Sequence, residues 1–218
     1  MIEAVAFDLD GTLIESETVW EAARREVTES AEGRWRDDAQ PSMMGLSTPE
    51  WIAYMQEELG VALEADEIRK QVLERIKASY HEQLPLIDGG DEAVRRLAVG
   101  LPLAVASSSP RELIEQVLEL VGLGECFEVV ISSEEVRRGK PAPDVYLRAC
   151  ELLGSRPSHT AAIEDSGAGV RSAVAAGMPV VLIPGTEFPP DPAVLEEADL
   201  VLDSIKQLDV DAVAALGA

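Results

Sequence analysis

Ala4-Val5-Ala6-Phe7-Asp8-Leu9-Asp10-Gly11-Thr12 stands almost at the start of the chain. Four apolar residues running into an acidic turn read as a buried strand that ends at Asp8. Gly11 permits a tight exit from that strand, and Thr12 caps or braces the loop. Asp8 and Asp10 lie two residues apart at the strand's carboxyl end, where ligands bind in open parallel sheets. Two acids and a glycine after a strand also make an ordinary turn, so the meaning of this stretch depends on the rest of the chain.

Outward from it, the pattern changes twice. From about Ser16 to Gln83 the periodicity is helical, with little strand signal. One helix is expected over 17–30. A second opens with Thr48 as N-cap and Pro49 as first helical residue, and Gly60 closes it. A third spans 64–81, with Ile68, Val72, Leu73 and Ile76 on one face. After Asp88-Gly89-Gly90, helices and strands alternate: helix 91–98, strand 101–106, a helix ending near Gly122, strand 128–131, helix 143–153, strand 160–163, helix 169–176, strand 180–183 and a short strand at 200–202. Ser109-Pro110-Arg111-Glu112 has the form of a capping box at the start of the helix that ends near Gly122. The stretch 184–192, rich in proline, reads as a surface loop. Alternation of this kind implies a parallel sheet covered on both faces. The expected class is therefore α/β: a doubly wound, Rossmann-like core of residues 1–15 and 84–218, with a small all-helical cap domain, 16–83, inserted after the first strand.

Composition narrows the function. The 218 residues are 46% hydrophobic and 27% charged, ordinary values for a globular protein. The formal charge of −23 comes with no basic stripe, which sets aside nucleic acid and anionic membranes as partners. It also repels anionic substrates at long range. A phosphorylated substrate would need local cations and a metal to overcome that field. Cys126 and Cys150 have no metal-ligand spacing and read as buried reduced thiols. No basic region with an apolar run opens the chain, and no apolar stretch approaches the roughly 18 residues of a membrane span. A cytoplasmic monomer is the expectation.

The strand ends carry further chemistry in a fixed order. Phe7-Asp8-Leu9-Asp10-Gly11-Thr12 is followed by Val105-Ala106-Ser107-Ser108-Ser109, then Gly139-Lys140-Pro141-Ala142-Pro143-Asp144, then Ile163-Glu164-Asp165-Ser166-Gly167-Ala168-Gly169. These four motifs resemble those of the haloacid dehalogenase-like hydrolase superfamily. The nearest part of it is the β-phosphoglucomutase-like and phosphoglycolate phosphatase-like branch, which has a helical cap. The motifs and the elements linking them cover nearly the whole chain.

The resemblance implies an Mg²⁺-dependent phosphoric monoester hydrolase that acts on a small phosphorylated metabolite. Asp8 is then the nucleophile, which splits one hard displacement into two through an aspartyl-phosphate. Asp10 is the general acid–base, neutral at the first step so that it can protonate the leaving oxygen. Asp8, the backbone carbonyl of Asp10 and Asp165 are the implied metal ligands, with Glu164 supporting them through water. Ser107 supplies a phosphate-binding hydroxyl and Ser108 a backbone N–H, beside a helix N-terminus. Lys140 holds Asp8 and offsets charge on the transferring group. Ser109 reads as a helix cap. His81 and His159 fall outside the motifs and read as solvated.

The cap is less informative. Met44-Gly45-Leu46-Ser47 resembles the family's short cap loop, with Ser47 as a candidate substrate contact. Trp20 is a second candidate; Trp51 and Tyr54 read as packing between cap helices. β-Phosphoglucomutases carry an arginine where this chain has Thr48 and a histidine where it has Trp20, and both departures argue for hydrolysis over a sugar-phosphate mutase. Dehalogenase relatives do not carry the second acid, which Asp10 supplies here. Phosphonate cleavage needs a cap lysine as Schiff base, and Lys70 and Lys77 read as surface helix residues. A non-catalytic binding protein could keep the fold, but every proposed catalytic side chain is present.

Overall fold

The first strand, β1 (Ala4–Phe7), is buried along its whole length, as a strand covered on both faces must be. The computed structural model describes residues 1–44, 46–185 and 189–216. They divide into two compact units, one of residues 1–15 and 86 onward, the other of residues 16–85.

In the larger unit β1 is joined by β2 (Leu103–Ser107), β3 (Val129–Ser132), β4 (Thr160–Glu164), β5 (Val180–Leu182) and β6 (Leu200–Val201). The sheet runs β3-β2-β1-β4-β5-β6, and its pairings are all parallel. The chain builds outward from β1 on one side, then returns to lay β4, β5 and β6 on the other. The order reverses between β1 and β4, whose register places Phe7 beside Ile163. Loops at the carboxyl ends of such a pair diverge and open a crevice. Asp8 follows β1 there, and Glu164 ends β4. This is the expected Rossmann-like α/β class.

Sequence alternation is read out as strand and crossover helix. The helices of this unit are, in chain order after the insert, Gly90–Ala98, Arg111–Leu120, Asp144–Leu153, Gly167–Ala176, Pro192–Leu195 and Val210–Ala215. Alanines on the central strands, Ala6, Ala104, Ala106 and Ala162, let the third of these helices lie close, with Val145, Tyr146 and Ala149 buried against them. Small strand residues and a larger helix residue fill one layer at interior density.

The smaller unit holds four helices: α1 (Glu17–Ser30), α2 (Ala39–Met43), α3 (Thr48–Glu57) and α4 (Ala65–Glu82). Counting on, the six helices of the larger unit are α5 to α10. Helix α1 packs on α4, whose Ile68, Val72, Leu73 and Ile76 are buried as their spacing predicts. Trp20 is 6% exposed, meets Trp51 edge-on at 6.1 Å, and Arg24 lies 4.6 Å over its ring.

Several local expectations are corrected. The cap of α3 is Ser47, not Thr48, because Glu50 accepts hydrogen bonds from both the N–H and the hydroxyl of Ser47. Pro49 is accordingly the second helical residue. Helix α6 (Arg111–Leu120) is capped at Pro110 without a side-chain bond, so Ser109 is not its cap. The short helices α2, α9 (Pro192–Leu195) and α10 (Val210–Ala215) were not expected. Within the stretch read as a proline-rich loop, residues 186–188 lie outside the described residues, as does Gly45. Cys126 is half-buried rather than buried, and both thiols are free. His159 is not simply solvated: its Nδ1 lies 3.1 Å from Glu3 Oε1. Among the described residues no helix is long and apolar enough to cross a membrane.

Candidate active site

Asp8 leaves β1 at the sheet's carboxyl edge and is 6% exposed. Lys140, on the loop before α7 (Asp144–Leu153), donates from Nζ to Asp8 Oδ1 and to Glu164 Oε1, each at 2.6 Å. The lysine and glutamate side chains are 4% and 0% exposed. Glu164 is held from several sides. Tyr146 of α7 donates its hydroxyl to the same Oε1 at 2.6 Å, and Lys140 Nζ stands 4.9 Å over the Tyr146 ring. The N–H of Asp165 and the hydroxyl of Ser166 donate to Glu164 Oε2 at 3.3 Å.

Two buried carboxylates, Asp8 and Glu164, and the half-buried Asp165 face one ammonium, and the electrostatics follow from that imbalance. Burial pushes the Asp8 carboxyl up to about 7; Lys140 opposes the shift, while Glu164 and Asp10 add to it. Burial and the charges of Asp8 and Glu164 hold Asp165 well above the usual carboxylate range, against Lys140. For Lys140, burial works against the charge, but Asp8 and Glu164 outweigh it and keep the ammonium protonated. Burial, with the charges of Glu164 and Asp8, holds the Tyr146 hydroxyl well above its ordinary value, so it remains a donor.

A divalent cation fits this arrangement. One oxygen from each of Asp8, Glu164 and Asp165 lies within 4.8 Å of the others. Asp165 Oδ1 is buried and has no hydrogen-bond partner, a costly state for a carboxylate oxygen. The donors are all oxygen, which suits a hard ion such as Mg²⁺. Gly11, at φ +80°, passes so close that an added Cβ would stand 2.0 Å from Asp165 Oδ2. That position needs glycine both for the left-handed backbone and for clearance.

The second motif meets the first through Asp10. Ser109 donates its hydroxyl to Asp10 Oδ2 at 2.6 Å, and Ser107 donates to the same oxygen at 3.3 Å. The N–H of Ser109 donates to Ser107 Oγ at 3.0 Å. Ser108 is half-buried between them.

Of the residues singled out in the sequence, the structure gathers Asp8, Asp10, Ser107, Ser108, Lys140, Glu164 and Asp165 at one sheet edge of the larger unit. Ser47 and Trp20 belong to the helical unit. Ser47 serves there as the cap of α3, and Trp20 lies in that unit's core. Two contributors went unrecognised. Tyr146 hides in the apolar face of α7; its one signal is a hydroxyl on a buried face, which needs a partner. Ser109 has the local pattern of a helix cap, and only the fold shows its hydroxyl at Asp10.

A buried carboxylate braced by lysine thus lies at the switch point of a parallel sheet, where α/β proteins bind their ligands. Residues 2–177 match the model of the haloacid dehalogenase-like hydrolase family, and the chain belongs to that family. It is 33% identical over 179 residues to a phosphorylated carbohydrates phosphatase of Thermotoga maritima, covering 81% of this chain and 82% of that one. It is 32% identical over 210 residues to hexitol phosphatase B of Escherichia coli K12, covering 95% and 94%. The crystal structure of CbbY from Rhodobacter sphaeroides in complex with phosphate superposes with a TM-score of 0.88 at 28% identity, covering 98% of this chain and 100% of that one. Both named enzymes are phosphatases, in agreement with the phosphoric monoester hydrolase expected from the motifs.

Proposed function

We propose that this protein hydrolyses a small phosphomonoester, a sugar phosphate or similar metabolite, with Mg²⁺ and through an aspartyl-phosphate on Asp8. One observation carries the reading: Asp8 is buried at the end of β1 and held by Lys140 Nζ at 2.6 Å, with Asp10 two residues further on. The two relatives named for phosphorylated carbohydrates and hexitols support the substrate class.

In the first step a carboxylate oxygen of Asp8 bonds to phosphorus and the ester P–O bond breaks. The departing oxygen takes its electron pair and receives a proton from Asp10. In the second step a water gives a proton to Asp10 and bonds to phosphorus. The bond from phosphorus to Asp8 breaks, releasing phosphate and restoring both carboxyl groups. Lys140 orients Asp8 throughout and offsets charge on the transferring group. The Ser107 hydroxyl and the Ser108 N–H receive phosphate oxygens. Asp8, the Asp10 carbonyl and Asp165, supported by Glu164, would hold Mg²⁺, which supplies positive charge to the phosphate oxygens. Residues 16–83 act as the cap that selects the ester and limits water.

The test is phosphate release across a panel of phosphomonoesters, with and without Mg²⁺, for the wild type and Asp8→Asn. Metal-dependent release that disappears in the variant is expected. Undiminished release by Asp8→Asn would sink the mechanism.

A further inference from the structure

Ser109 stands where a helix cap is expected, yet it caps nothing. Helix α6 begins at Arg111 with Pro110 as its cap residue. The Ser109 side chain, 6% exposed, instead donates to Asp10 Oδ2 at 2.6 Å. Its backbone is clamped on both sides: the N–H donates to Ser107 Oγ at 3.0 Å, and the carbonyl accepts from Ser132 Oγ of β3 at 2.7 Å. The hydroxyl is therefore aimed at Asp10 by the sheet itself.

Ser107 shares the task at 3.3 Å, but its hydroxyl has a single proton to give. While that proton is on Asp10, Ser107 offers no donor to a phosphate oxygen. When it turns to phosphate, it releases Asp10. The Ser109 hydroxyl makes the shorter contact to the same oxygen.

We propose that Ser109 is the positioning residue for Asp10, keeping the acid–base carboxyl in place while Ser107 hands its proton to the substrate's phosphate. The inference rests on the reading of Asp10 as the acid–base group. It assigns Ser107 and Ser109, two residues apart, to different partners in the loaded enzyme.

Misplacing an acid matters most when the leaving group needs a proton. An alkoxide needs one, whereas p-nitrophenolate departs as a stable anion. The experiment is single-turnover cleavage, with enzyme in excess and Mg²⁺ present, of sorbitol 6-phosphate and of p-nitrophenyl phosphate. It compares wild type, Ser109→Ala, Ser109→Thr and Asp10→Asn. Ser109→Ala should slow the alkyl ester on the order of 10- to 100-fold, part of the range for general acid catalysis. The aryl ester and both half-saturation constants should stay within about threefold, and Ser109→Thr should recover most of the alkyl rate because the hydroxyl is kept. Ser109→Cys, similar in shape with a weak donor, replaces the alanine variant if that one does not fold. An equal loss on both esters, or no loss on the alkyl ester, overturns the inference. If Asp10→Asn shows the leaving-group preference and Ser109→Ala does not, only the role of Ser109 fails. If Asp10→Asn shows none, or the wild type cleaves neither ester, the reading of the site fails and the inference with it.

Discussion

A Cβ at Gly169 would stand 1.9 Å from the carboxyl carbon of Glu164 and from both of its oxygens. The carboxylate has nowhere to go, since it is fully buried and tied to Lys140 and Tyr146. Gly169→Ala therefore sets two effects against each other. Alanine gains up to about 1 kcal/mol of helix propensity, less so near the start of α8 (Gly167–Ala176), while overpacking costs about 1–3 kcal/mol. The clash wins, and it also pushes Glu164 off Lys140. Thermal unfolding should show a net loss of stability, and phosphate release should fall on the order of tenfold or more.

Tyr146→Phe removes one donor from Glu164 Oε1 and leaves the ring in place. A hydrogen bond to a charged group is worth about 1.5–3 kcal/mol, so the thermal midpoint should drop by several degrees, at roughly 2–4 °C per kcal/mol for a chain of this size. Deprived of the tyrosine, Glu164 draws harder on Lys140, and phosphate release should slow on the order of threefold to tenfold. Unaltered stability and rate would mean that the hydroxyl contributes nothing.

Lys140→Met leaves Asp8 and Glu164 buried without their cation. Breaking a buried pair by removing one partner costs about 3–5 kcal/mol, and activity should vanish. Acid should restore part of the stability, because a protonated Asp8 no longer needs the ammonium. Denaturant unfolding at pH 5 and pH 8 checks this: the variant's deficit should be smaller at pH 5.

The same reasoning gives the metal a pH signature. Asp8 titrates near 3.8 in an unfolded chain and at about 7 in the folded one. A raised carboxyl pKa contributes stability that is complete below the unfolded value and is lost as pH rises through the folded one. The metal-free protein should therefore weaken as pH climbs through about 7. Bound Mg²⁺ would take over the role of the proton, so its stabilising effect should be slight near pH 5 and large near pH 8. Thermal midpoints with and without Mg²⁺ across that range decide it, and a pH-independent increment would contradict the assignment.

How far the sequence could be read is clearest from two similar tetrapeptides. Ser47-Thr48-Pro49-Glu50 and Ser109-Pro110-Arg111-Glu112 both have the spacing of a capping box. At Ser47 the box forms, since both of its partners lie within the tetrapeptide. At Ser109 it does not, because Asp10 claims the hydroxyl from 99 residues away in the chain. Local pattern decides the first case and tertiary contact the second. For the same reason β1 and the sheet were legible from runs of buried apolar residues. Asp8, Asp10, Lys140, Glu164 and Asp165 were legible because each ends a strand or lies in a motif loop. Tyr146 was not: on α7 it has the spacing of a core residue, and only the fold reveals Glu164 opposite its hydroxyl. Helices α9 and α10 escaped because four and six residues hold too little periodicity to read.

The central claim is that phosphorus passes through Asp8. Rapid quenching during turnover of the phosphomonoester cleaved fastest in the panel, followed by borohydride reduction and peptide mass analysis, tests it directly. A reducible acyl-phosphate at Asp8, absent without substrate and absent in Asp8→Asn, is the expected result. Active turnover with no label at Asp8, or with label on another residue, would contradict the account.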